Sequence, residues 1–113
     1  MYEYRALVRR VYDGDTITVD IDLGFNIVTR NQKIRLVGIN APEIRGKLRE
    51  KGLESRDFLR KKILGKWIVL KTSKDKKGKF GRWLGSIFIE NENINSLMIK
   101  EGFAKKYEWF KYF

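Results

Sequence analysis

Two carboxylates stand two residues apart in Asp13-Gly14-Asp15-Thr16. An Asp-Gly pair is most often the turn that opens a hairpin strand. Here the register adds chemistry. Ile17, Val19 and Ile21 alternate with Thr18, Asp20 and Asp22, and running that period of two backwards puts Asp15 on the apolar face. A carboxylate at the end of a core-facing row is expensive unless a cation or several donors meet it. Asp15 therefore calls for a metal, an arginine or a substrate-linked group. Further on, Ile34 to Glu43 carries Arg35 inside an otherwise apolar run, and Asn40 and Glu43 on either side of Ala41-Pro42. An arginine in such a place is ordinarily an edge residue reaching for solvent. The Pro-fixed turn instead offers oxygen donors held at a strand end. Arg82 follows Gly81 where a basic stretch re-enters an apolar run, so a strand aims it. The chain has no Cys and no His, which removes zinc–thiolate sites, iron–sulfur centres, disulfides and imidazole-based nucleophile systems. Hard oxygen donors alone suit Ca²⁺ or Mg²⁺ rather than Zn²⁺.

The elements that must position these groups are readable. Residues 2–11 suit a strand, and the alternation from Thr16 to Leu23 a second one ended by Gly24. A third runs from Ile27 to Ile39, irregular over Thr29-Arg30-Asn31-Gln32, and Asn40-Ala41-Pro42 stops it. Residues 50–64 suit a helix with Phe58, Leu59 and Ile63 on one face and Leu64-Gly65 at its end. Two strands follow, Trp67 to Leu70 and Trp83 to Ile89, joined by an exposed loop at Lys74-Asp75-Lys76-Lys77-Gly78-Lys79. Asn93 caps a second helix striped by Ile94, Leu97 and Met98 and stopped by Gly102. Three strands, a helix, two strands and a helix make an α+β, mainly β, chain: a five-stranded OB-type Greek-key barrel with two helices. The 113 residues, 42% apolar and 35% charged, make one domain spanning 1–113 with one modest core.

The net charge of +11 is concentrated. Residues 1–44 and 83–113 each balance, whereas 45–82 hold fifteen Lys or Arg against four acids. A basic face of this kind is often just solvated. Confined to a third of a small domain, it also generates a directional field suited to a polyanion, and nucleic acid is the expected partner. No amphipathic basic helix favours a membrane surface, and no apolar run approaches the roughly 20 residues of a span. With no signal-peptide pattern at residue 1, the default expectation is a cytoplasmic monomer.

Three blocks then fall together: Asp13-Gly14-Asp15-Thr16, Arg35-Leu36-Val37-Gly38-Ile39-Asn40-Ala41-Pro42-Glu43, and Lys79-Phe80-Gly81-Arg82-Trp83-Leu84. In order and spacing they resemble the signatures of the staphylococcal nuclease (thermonuclease) family, from about residue 5 to Gly102-Phe103-Ala104. The resemblance implies Ca²⁺-dependent hydrolysis of DNA and RNA with little sequence preference, leaving 3′-phosphate ends. It implies Asp15, Asn40 and the Ala41 backbone carbonyl as metal ligands, with Asp13 supporting them from behind. It implies Glu43 orienting or deprotonating the attacking water, and Arg35 and Arg82 gripping the phosphate. Lys77, Lys79, Phe80 and Tyr107 would meet the polynucleotide, single-stranded DNA or RNA foremost.

Two departures stand out. Asn40 replaces the aspartate of the best-known members, which removes a negative charge, weakens Ca²⁺ binding and leaves room for Mg²⁺ or Mn²⁺. Phe80 replaces a tyrosine, keeping stacking but not a phenolic contact. The aromatic end from Lys105 to Phe113 either packs on the domain or meets a base. The competing reading is a nuclease-like OB module that binds nucleic acid without cutting it, and behind it a purely structural basic protein.

Overall fold

The computed structural model describes residues 2–77 and 82–107, with the side chains of 73–77 outside that description. Strands β1 (Tyr2–Asp13), β2 (Thr16–Asp22), β3 (Val28–Leu36), β5 (Trp67–Lys77) and β6 (Trp83–Ile89) form a sheet in the order β3-β2-β1-β5-β6, extended by the short β7 (Glu92–Asn93). All neighbours are antiparallel except one pair. Ile34–Leu36 of β3 lie parallel to Trp83–Gly85 of β6, and this seam closes the five long strands into an OB-type barrel. Helix α1 (Arg49–Ile63) crosses between β3 and β5, and α2 (Ile94–Lys100) follows β7.

Alternation builds the core. Ala6, Val8, Ile17, Val19, Ile34, Leu36, Leu70 and Ile87 are each at most 1% exposed and come from all five barrel strands. Each Val, Leu or Ile among them contributes about 2 kcal/mol by leaving water. Helix α1 buries Gly52, Ser55, Leu59 and Ile63, a stripe one turn apart that covers one end of the barrel. Phe58 stacks on Phe103, ring centroids 4.4 Å apart. Arg60, Lys61 and Lys62 crowd the last turn, where the helix dipole favours cations. In α2 the Asn93 side chain accepts the Ser96 N–H, as its capping position requires.

Four sequence expectations need correction. The third strand does not continue to Ile39. Gly38, at φ 81°, turns the chain after Leu36, and Ile39–Asn40 form a separate short strand, β4, paired with β8 (Lys105–Lys106). The alternation in β2 is broken: register shifts opposite β3 between Val19 and Ile21, so Asp20 is buried alongside its neighbours. There it accepts the Asn31 N–H at 3.0 Å and lies within 4 Å of Arg9 and Arg30. Leu23, placed on the apolar row, is 45% exposed. Finally, β5 runs on through Lys74–Lys77 rather than ending at Leu70. Lys79 and Phe80 lie outside the described residues, as does the side chain of Lys77.

Candidate active site

The end of β1, the start of β2, the turn after β3 and the start of β6 converge beside the barrel seam. Asp15 is 5% exposed and Arg35 7% exposed, so neither reaches out to water. The Asp15 carboxylate accepts the Ala41 N–H at 2.8 Å through Oδ2 and the Thr16 hydroxyl at 3.1 Å through Oδ1. Arg35 Nη2 lies 3.3 Å from the same Oδ2 and 3.3 Å from Asn40 Oδ1. Its Nη1 donates to the carbonyls of Leu36 and Ile39 at 2.9 and 3.0 Å. The guanidinium thus clasps the turn that carries Asn40 and Ala41, instead of reaching for solvent from an edge. Of the partners open to Asp15 on sequence grounds, an arginine and two donors are present.

Asp13 sits behind this pair and accepts the Asp15 N–H at 3.0 Å. Burial, reinforced by the adjoining Asp15 carboxylate, pushes its carboxyl up to about 7. Burial also lowers the Arg35 pKa; Asp15 opposes that shift and the nearby positive charge of Arg82 adds to it. Arg82 therefore shares the electrostatic surroundings of Arg35, and its Nη1 stands 3.5 Å from Thr16 Oγ1. Tyr107 also acts on Arg35 and donates its backbone N–H to Gly38 at 2.8 Å, so the β4–β8 ladder brings the start of the aromatic tail to the site.

Glu43 stands apart. It is exposed, and no group of three acidic side chains suited to a metal occurs among the described residues. What fixes its backbone is Gly52 of α1: a Cβ there would collide with the Glu43 carbonyl. Gly14 plays the same part opposite, because a Cβ would come within 2.7 Å of Ala41 Cβ and 2.9 Å of Ser55 Cβ.

Sequence reading missed two positioning residues. Thr16 lies between Asp15 and Arg82 through its hydroxyl. Asn95, 4% exposed, donates to the carbonyls of Val37 and Gly85 at 2.9 and 3.2 Å and accepts the Ile87 N–H at 3.1 Å. It ties α2 to the seam and to the turn below the site. A polar residue at an inward-facing place in the α2 stripe was the available signal.

The oxygen set suits a hard cation. Asp13 and Asp15 adjoin, burial and that neighbour drive the Asp13 carboxyl up, and Arg35 and Arg82 bring two positive charges alongside. Asp15, Asn40 and the Ala41 carbonyl lie on the elements that would hold it, with Asp13 behind.

Residues 33–112 match the family described as staphylococcal nuclease homologue. The chain belongs to the staphylococcal nuclease family. It is 30% identical over 102 residues to the thermonuclease of Staphylococcus intermedius, covering 88% of this chain and 57% of that protein. It is 32% identical over 101 residues to the thermonuclease of Staphylococcus hyicus, covering 87% and 56% respectively. It is also 33% identical over 116 residues to endonuclease YhcR of Bacillus subtilis, of which it spans 9%. This family member thus spans little more than half the length of the thermonucleases it matches. No helix among the described residues is long and apolar enough to cross a membrane.

Proposed function

We propose that this chain is a metal-dependent nuclease that hydrolyses DNA and RNA with little sequence preference and leaves 3′-phosphate ends. The observation that carries the reading is the meeting of Asp15, Arg35 and Arg82 at one end of the barrel seam, in a chain of a family whose relatives include named nucleases. A phosphodiester is already anionic, so attack by water requires cancellation of the charge that gathers on the phosphoryl oxygens. Two guanidinium groups near one position supply positive charge for those oxygens, with Arg82 as the forked donor and Arg35 acting through its field from the buried turn. In the proposed reaction water adds to phosphorus, the bond to the 5′ oxygen breaks, and that oxygen leaves as a hydroxyl after taking a proton. Glu43 would orient the water or take its proton. Ca²⁺, with Mg²⁺ or Mn²⁺ tolerated, is the cation Asp15, Asn40 and the Ala41 carbonyl would hold; when bound, it neutralises phosphate charge. We read the chain as one domain acting as a monomer on single-stranded substrates.

A second reading, binding without cutting, draws on Asn40, which lacks a full charge, and on the exposed Glu43. One assay separates the two. Single-stranded DNA and RNA are incubated with the protein, with Ca²⁺ or with chelator, beside Glu43→Ala and Arg82→Ala. Cation-dependent degradation lost in both variants supports hydrolysis. Salt-sensitive binding of intact strands supports the second reading.

A further inference from the structure

The parallel seam of the barrel is only three residue pairs long, Ile34–Leu36 against Trp83–Gly85. Beyond it, β5 bulges against β6 between Thr72 and Lys77. A cavity of about 210 Å³ lies beside Thr72 and Trp83. Its apolar lining includes Ile21, Ile34 and Leu70, and Tyr4, Trp83 and Thr72 are also among the residues around it. The indole is pinned in place: Trp83 Nε1 donates to Gln32 Oε1 at 3.0 Å, and the Gln32 amide is fixed in turn by Thr29 Oγ1 and the Arg30 carbonyl.

Two observations point to a ligand. First, Thr72 is 6% exposed, and its Oγ1 is buried with no hydrogen-bond partner among the described residues. A hydroxyl so placed is destabilising unless something meets it, and the cavity that Thr72 lines is where a ligand can do so. Second, cations stand on the neighbouring strand: Arg30 and Lys33 are exposed on β3, whose Thr29, Gln32 and Ile34 line the cavity. Trp83 is also the next residue after Arg82 of the candidate site. An apolar slot of this size exceeds the roughly 150 Å³ cavity that admits one benzene ring. With an aromatic wall, the unmet Thr72 hydroxyl and exposed cations on β3 close by, it suits a flat heteroaromatic ring that arrives attached to phosphate.

We propose that this cavity takes one unstacked nucleobase of a single-stranded nucleic acid, with Trp83 as the stacking surface, Thr72 Oγ1 bonded to the polar edge of the base, and the adjoining phosphate led to Arg82. A base inside a duplex cannot enter, so the cavity makes the chain a single-strand reader. The proposal rests on the nucleic-acid reading above, but not on hydrolysis.

The test is run with the full chain in chelator, so that no strand is cut. A DNA trinucleotide is compared with a trimeric deoxyribose-phosphate backbone of equal charge that carries no bases. Binding is followed through the Trp83 indole and Thr72 methyl NMR signals. The trinucleotide is expected to shift both signals and to bind about tenfold more tightly than the baseless trimer. That ratio is expected to shrink in Trp83→Leu and in Thr72→Val, while Thr72→Val unfolds at the same or a higher temperature because a buried hydroxyl without a partner has gone. Equal affinity for the two trimers, or a ratio unaltered in both variants, overturns the proposal; a water molecule serving Thr72 would give the second result. Binding with this signature but no cleavage when cation is restored would sink the hydrolytic reading alone. Cleavage without the signature would sink the cavity alone.

Discussion

Arg35 does two jobs at once. It compensates the buried Asp15 carboxylate and holds the Leu36–Asn40 turn through the Leu36 and Ile39 carbonyls. Arg35→Ala is therefore expected to lower stability by about 3 kcal/mol, measured by urea unfolding, because it strands a buried charge and two carbonyls. A wild-type midpoint would show that Asp15 needs no cation from the chain. Asn40 gives a second expectation at this scale. Its Oδ1 faces Arg35 Nη2, and Asn40→Asp would add a charge to the proposed ion site. The cation concentration for half-maximal cleavage should fall severalfold, and an unchanged value would remove Asn40 from the ligand set.

The site depends on elements that approach closely. Helix α1 meets the segment after Pro42 at Gly52, where any Cβ would press on the Glu43 carbonyl. In an unconstrained helix Gly→Ala stabilises by up to about 1 kcal/mol. Here Gly52→Ala is expected to destabilise by about 1–3 kcal/mol in thermal melts and to slow cleavage while leaving strand affinity nearly intact; a stabilised, fully active variant would contradict the packing. At the same scale the sequence was informative where alternation and caps act locally. The strands expected over 2–11 and from Trp83 to Ile89, the helix expected over 50–64 and the Asn93 cap all occur, with ends within two residues of those expected. The breaks were not legible in this way, because they arise from pairing between distant segments. The bulge that buries Asp20 is set opposite β3, and the separate β4 exists because Lys105–Lys106 pair with it. The core-facing register of Asp15 was visible in β2 alone. The inward turn of Arg35 and the stitching by Asn95 were not, since each depends on carbonyls that only the folded turn presents.

Over the whole molecule, a balanced barrel carries all of its excess charge between residues 45 and 82. Affinity for single-stranded DNA should therefore fall linearly with salt on logarithmic axes, and Lys77→Ala and Lys79→Ala should each reduce the slope by about 0.7. An unaltered slope in both would move the phosphate track elsewhere. The central claim is narrower: Arg82 acts with Arg35 and Asp15 on one scissile phosphate. It is tested most directly by the turnover of saturating single-stranded DNA in the presence of Ca²⁺, Mg²⁺ or Mn²⁺, for the wild type and for an Arg82→Ala variant shown by circular dichroism to be folded. Cation-dependent cleavage is expected of the wild type, and a fall of roughly a hundredfold or more in kcat of the variant, with KM little altered. Intact DNA with every cation, or equal turnover by the two proteins, would contradict that claim.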